Sequence, residues 1–167
     1  WIHLHAGCTP ERLALRFPGR DLSYAGLVGL VDRYAAGLAA AGVQRGGCVA
    51  FLGLNSPDEI ALLFACARLG AMFIPLNWRL AALEHRQILI DCPPSVLLVE
   101  SQFVQQTEAI RSSLGPTLMV TFGPASPGWL EHSELLARGE GVRIQADFTG
   151  LGSMPLLVCY TSGSTGK

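Results

Sequence analysis

Five short apolar runs, each set off by turn residues and separated by stretches of helical period, restrict this chain more than any other feature. Residues 48–54, 71–75, 95–99, 117–121 and 156–160 each read as a strand. They are short, bounded by Gly, Pro or polar residues, and mostly continuous in their apolar character, as strands buried on both faces are. Strands that alternate with helices define an α/β unit with a mainly parallel sheet flanked by helices.

The helices between them carry start and stop signals. Ser23 is an N-cap, and Tyr24, Leu27, Val28, Val31, Tyr34 and Leu38 follow at helical spacing up to Gly42. In Asn55-Ser56-Pro57-Asp58-Glu59, Ser56 caps, Pro57 takes the first helical position and Glu59 completes a capping box. That helix runs to Leu69 and stops at Gly70. A further helix covers residues 81–91, with Leu83, Gln87, Ile88 and Ile90 toward the inside, and Cys92-Pro-Pro94 ends it. Residues 103–114 and 129–138 read as two more. Residues 13–17 and 21–23 form a hairpin through Pro18-Gly19, residues 1–11 are polar and irregular, and residues 139–154 form a linker.

Composition excludes several functions. The 167 residues suit one domain, and only 15% are charged, which implies heavy burial. A net charge of −1 provides no basic footprint for nucleic acid or a membrane surface. The most apolar region, residues 60–76, contains Arg68 and is divided by Gly70 and Pro75 into a helix and a strand, so it does not span a membrane. Five cysteines without a C-x-x-C pair, three of them (Cys48, Cys66, Cys159) inside apolar runs, point to buried reduced thiols in a cytoplasmic protein. His3 and His5 lack a third metal ligand nearby. Asp32, Asp58, Asp91 and Asp147 show no paired spacing for acid–base work and read as solvated faces or caps. A start at Trp1 suggests numbering that begins inside a longer polypeptide.

Chemistry concentrates after the last apolar run, in Thr161-Ser-Gly-Ser-Thr-Gly-Lys167. Glycines let backbone N–H groups approach an anion, and hydroxyls add donors, so a strand leading into such a loop suits a phosphate cradle. A polar turn fits the same residues. A Walker A loop is excluded, because Thr161 stands where its first Gly belongs. The nearest dinucleotide fingerprint, Gly150-Leu-Gly152-Ser-Met-Pro155, has Pro in its third glycine place and precedes the strand.

Tyr160-Thr-Ser-Gly-Ser-Thr-Gly166 resembles the signature loop of the AMP-forming adenylating enzymes, which include acyl-CoA synthetases, peptide-synthetase adenylation domains and luciferases. In that family the loop continues x-Pro-Lys-Gly, so Lys167 falls on the variable position and is not the loop lysine. Support lies upstream, in Gly42-Val with Gly46-Gly47-Cys-Val, in Asn55-Ser56-Pro57, in Leu69-Gly70-Ala71, and in Pro75-Leu76-Asn77-Trp78-Arg79-Leu80 with Glu84. The last is most similar to fatty-acid and aromatic-acid CoA ligases. Two positions depart from the family pattern: Gly26 stands in the place of the capping-box Glu, which concerns stability rather than chemistry, and Gly47 stands in the place of Asp.

The resemblance implies one lobe of the family's large N-terminal domain. Residues 1–167 would then be part of that domain, ending within the phosphate loop, and inactive alone. It implies activation of a carboxylic acid by ATP to an acyl-adenylate and transfer to coenzyme A, with Mg2+ but no ligand for it in these residues. Thr161, Ser162, Gly163, Ser164, Thr165 and Gly166 would hold the ATP phosphates, Ser164 and Thr165 foremost, and Arg79 would lie near the CoA phosphates. No residue of the chain is a catalytic acid, base or nucleophile on this reading. A carrier-loading adenylation domain, a non-catalytic nucleotide-binding module and a phosphotransferase remain as alternatives.

Overall fold

The computed structural model describes residues 1–144 and 151–160. Its elements are α1 (Ile2–Cys8), β1 (Leu13–Leu15), β2 (Leu22–Ser23), α2 (Tyr24–Ala40), β3 (Cys48–Leu52), α3 (Pro57–Leu69), β4 (Met72–Leu76), α4 (Ala82–Asp91), β5 (Val96–Val99), α5 (Val104–Glu108), β6 (Leu118–Thr121), β7 (Leu130–Glu131) and α6 (His132–Arg138). Strands β3 to β7 form one parallel sheet in the order β4-β3-β5-β6-β7, while β1 and β2 make the expected antiparallel hairpin. This is a doubly wound order, and the chain reverses direction across the sheet between β3 and β5.

Alternation along the strands sorts the core into two layers. Val49, Phe51, Phe73, Val96, Leu98 and Val120 pack with α2, α3 and Leu135 of α6 on one face. Ala50, Leu52, Ile74, Leu76, Leu97, Val99 and Met119 pack with Ile88 and Leu89 of α4, Ile110, Leu114 and Trp129 on the other. Burial of each such side chain stabilises by about 1.5–3 kcal/mol. On the first face α2 and α6 cross closely. A Cβ on Gly37 would stand 2.5 Å from the Leu135 carbonyl oxygen, so only glycine fits there.

The capping signals hold. The Ser23 hydroxyl accepts from Gly26 N at 3.2 Å and that of Ser56 from Glu59 N at 3.2 Å, and Gly70 closes α3 with φ of 65°. Several local expectations change. Residues 2–8 are helical, because Ile2 is buried and the rings of Trp1 and His5 contact Phe64 and Tyr24. Residues 103–114 do not form one helix. The five residues of α5 lie between two 3-10 turns, and the Thr107 hydroxyl donates back to the Phe103 carbonyl at 2.9 Å, the local competition that shortens helices rich in Ser and Thr. Helix α6 begins at His132 because Leu130 and Glu131 pair with β6 instead.

In α4 Ile88 is buried as expected, together with His85 and Leu89, whereas Leu83, Gln87 and Ile90 are exposed. Periodicity alone points the wrong face inward here, because a histidine with both ring nitrogens hydrogen-bonded replaces an aliphatic residue in the core. The largest correction falls on residues 156–160. They form no buried strand. A single parallel bridge joins Leu157 to Phe73, with Phe73 N donating to Leu156 O at 2.7 Å and Val158 N to Phe73 O at 2.9 Å. Leu157 and Tyr160 are exposed, and so is Cys159, whereas Cys48 and Cys66 are buried as expected.

Candidate functional site

All strands of the large sheet end at one edge, and in such sheets ligands lie outside the carboxyl ends where the strand order reverses. The loops after β3, β4 and β5 meet there. After β4 comes Asn77-Trp78-Arg79-Leu80, with Arg79 exposed. This turn is clamped from below. Leu80 N donates to Asn77 O at 3.0 Å, and Arg79 N to Asn77 Oδ1 at 3.1 Å. The buried His85 donates from Nε2 to Asn77 O at 2.9 Å, which leaves Nδ1 to accept from Gln106 Nε2 at 3.3 Å. Gln106 also donates to Leu80 O at 2.8 Å. Both carbonyls that flank the turn are therefore fixed by side chains from α4 and α5.

Above the clamp, the Arg79 guanidinium carbon lies 4.4 Å from the centre of the Trp78 ring, and Phe103 approaches the same indole at 6.5 Å. Arg79 makes no ion pair among the described residues. A cation on a fixed loop, spread over an aromatic face, suits a phosphate or another anion.

At the reversal point itself, Ser56, Asp58, Glu100, Ser101, Gln102 and Phe122 line a cavity of about 240 Å³. Glu100 bridges the two loops, accepting from Leu54 N at 3.0 Å and from Gln102 Nε2 at 3.2 Å. The inner wall is a polar relay. Tyr34 Oη donates to Asp58 Oδ1 at 2.8 Å, and its oxygen receives His132 Nε2 at 2.8 Å. The second oxygen of Asp58 takes Arg20 Nη1 at 2.5 Å, and Phe122 stacks on His132 at 4.5 Å. Burial, then the Asp58 charge, pushes Tyr34 far above the usual phenol range. Burial lowers His132, and Asp58 opposes that shift. Burial and the charge of Glu100 raise Glu59, against hydrogen bonding to the Ser56 backbone. Asp58 is thus tied into the interior rather than solvated.

Of the residues expected to hold phosphates, Thr161, Ser162, Gly163, Ser164, Thr165 and Gly166 lie outside the described residues. The chain leading to them is described up to Tyr160, whose hydroxyl donates to Asp91 Oδ2 at 2.5 Å. Burial and that bond raise the phenol well above its ordinary value. Asp91 is the last residue of α4, while Arg79 lies just before its first. At 1.5 Å per residue the ten-residue helix is about 15 Å long, so Tyr160 and Arg79 stand at opposite ends of it. Elsewhere, Trp1, Ile2, Phe64, Met154 and Leu156 line a groove of about 680 Å³ away from the carboxyl edge. There Arg68 is neutralised by Asp32.

Sequence reading singles out Arg79 but gives no signal of His85, Gln106 or the Arg20–Asp58–Tyr34–His132 relay. These partners lie up to 98 residues apart, and no local spacing signals them.

The sheet with helices on both faces, its loops converging at one edge, defines the class as a doubly wound α/β unit. The chain belongs to the AMP-binding enzyme family, whose description matches residues 2–167. It is 55% identical, over all of its length, to an indoleacetate–CoA ligase of Aromatoleum aromaticum, of which it covers 32%. It is 37% identical to a feruloyl-CoA synthase of Amycolatopsis sp, again over the whole chain and 31% of that protein. Among solved structures, O-succinylbenzoate coenzyme A synthetase of Bacillus subtilis in complex with AMP superposes with a TM-score of 0.73 at 28% identity, covering all of this chain and 40% of that one. The chain therefore spans about a third of the length of the curated relatives it matches. Among the described residues, no helix is long and apolar enough to cross a membrane.

Proposed function

We propose that this chain is the first part of an acid–CoA ligase. Such an enzyme joins a carboxylate to the α-phosphate of ATP, releasing pyrophosphate, and then passes the acyl group to the thiol of coenzyme A. The carrying observation is the 55% identity, across every residue of the chain, to a ligase for an aromatic acid. The identity to feruloyl-CoA synthase supports an aromatic acid as the substrate class.

On this reading Thr161, Ser162, Gly163, Ser164, Thr165 and Gly166 donate hydrogen bonds to the β- and γ-phosphates. Donors placed where charge develops on the leaving pyrophosphate lower the barrier. Mg2+ would offset phosphate charge. Among the described residues no three His, Cys, Asp or Glu side chains converge to hold it, so none of them is assigned as a ligand. Arg79, on its clamped turn, fits the phosphates of the CoA nucleotide. The 167 residues alone do not complete the reaction, because they cover only a third of the relatives.

The test uses a polypeptide of the relatives' length that begins with this chain. Exchange of labelled pyrophosphate into ATP should depend on an added aromatic acid, and the 167-residue chain alone should stay at background. Thr165→Val should lower kcat for adenylation by about 10²–10³, as loss of one oxyanion donor does. Arg79→Ala should raise KM for CoA and leave adenylation unchanged. If the adenylate is discharged by a carrier-protein thiol and never by CoA, the carrier-loading reading replaces this one. Acid-dependent exchange by the short chain would refute its inactivity.

A further inference from the structure

The amino edge of the sheet, opposite the candidate site, holds two thiols in contact. Cys48 Sγ lies 3.0 Å from Cys92 Sγ, and both are free cysteines. Cys48 is the first residue of β3, and Cys92 follows the last residue of α4. Backbone structure fixes their approach. The β3–β5 register sets Val49 against Val96, and Ser95 N donates to Cys48 O at 2.8 Å. Cys92 is then tied to this point through Pro93 and Pro94, two residues of restricted φ, while its own N–H bonds Ile88 O at 2.9 Å. Closing to a bond of about 2.05 Å takes about 1 Å of combined sulfur movement.

We propose that Cys48 and Cys92 form a reversible intrachain disulfide on exposure to a small-molecule disulfide such as glutathione disulfide. Cys92 is half-buried and Cys48 buried, so the oxidant meets Cys92 first. The Cys92 thiolate attacks one sulfur of glutathione disulfide, breaking its S–S bond and releasing one glutathione thiolate. Cys48 then attacks the Cys92 sulfur, breaking the mixed disulfide and releasing the second. Two electrons pass from the two protein thiols to the oxidant, and their two protons end on the two glutathione thiols. Burial, and then the hydrogen bond to Cys92, pushes Cys48 up to about 12, so Cys48 stays protonated while Cys92 makes the first attack, and its second attack rests on the 3.0 Å proximity of the two sulfurs. The bond would tie the start of β3 to the end of α4, one residue from the Asp91 that holds Tyr160.

Three other cysteines serve as controls, namely the buried Cys66 and the exposed Cys8 and Cys159. The chain is incubated with glutathione disulfide at mildly alkaline pH and quenched in acid. Remaining thiols are then alkylated, and the digest is analysed without reduction. The expected product joins the peptides of Cys48 and Cys92, is lighter than their sum by two hydrogen atoms, and disappears with dithiothreitol. Cys159→Ser should leave this product unchanged, and Cys92→Ser should abolish it while circular dichroism reports the fold. A Cys92–glutathione adduct that persists with Cys48 still free overturns the proposal. So does a Cys92–Cys159 linkage, or an unmodified Cys92.

Discussion

Two apolar runs of this chain read alike and end differently. Val96-Leu97-Leu98-Val99 is wholly buried, paired with β3 on one side and β6 on the other, and covered by helices on both faces. Leu156-Leu157-Val158 touches the sheet through one bridge to β4, at its outer edge, with Leu157 half exposed. The same contrast holds for two tyrosines that each donate to an aspartate. Tyr34 is fully buried against Asp58, whereas Tyr160 reaches Asp91 at the surface. An apolar run becomes core only where neighbours exist on every side. A hydrogen bond becomes costly to remove only where water cannot replace it.

The sharpest break of this comparison is a matched truncation. Leu98→Ala should cost about 2–5 kcal/mol in urea unfolding followed by circular dichroism. Leu157→Ala should stay within about 0.5 kcal/mol, as exposed substitutions do. Equal losses would mean that both runs contribute to one core.

The tyrosine pair comes next. Tyr34→Phe removes the donor to Asp58 and the acceptor for His132, and should cost about 1–3 kcal/mol in the same assay. Tyr160→Phe should change stability by no more than about 0.5 kcal/mol. A larger loss at Tyr160 would make its bond to Asp91 structural.

The smallest effect is on pH. His132 has a folded pKa below its unfolded value near 6.5. Below 6.5 the unfolded chain takes up a proton that the folded chain refuses. Stability is therefore full above about 6.5 and falls as the pH drops toward and through the lower folded value. His132→Gln should flatten this slope in urea midpoints taken from pH 7.5 to 5, and an unchanged slope would assign it to other groups. Tyr34 acts at the other end. Its raised pKa keeps it protonated in the fold while the unfolded phenol ionises, so stability declines above about pH 10.

Much of the fold was legible because its signals are local. Ser56, Pro57 and Gly70 mark the ends of α3 by geometry that neighbouring residues supply, and four apolar runs matched strands for want of any other way to bury them. The inner face of α4 was misread at Leu83 and Ile90 because His85 takes the buried position, satisfied by Asn77 and by Gln106 of another element. At the candidate site, Arg79 was visible through the residues around it, while the clamp beneath it was not.

The sequence by itself determined the alternation of strands and helices, their caps, and membership of the AMP-binding enzyme family. Each rests on covalent neighbours or a contiguous motif. Only the tertiary structure decided which apolar run lies inside, which aspartate is tied to a buried tyrosine, and which two of five thiols touch. These depend on sheet order and register, which bring together groups dozens of residues apart, and no local pattern encodes that distance.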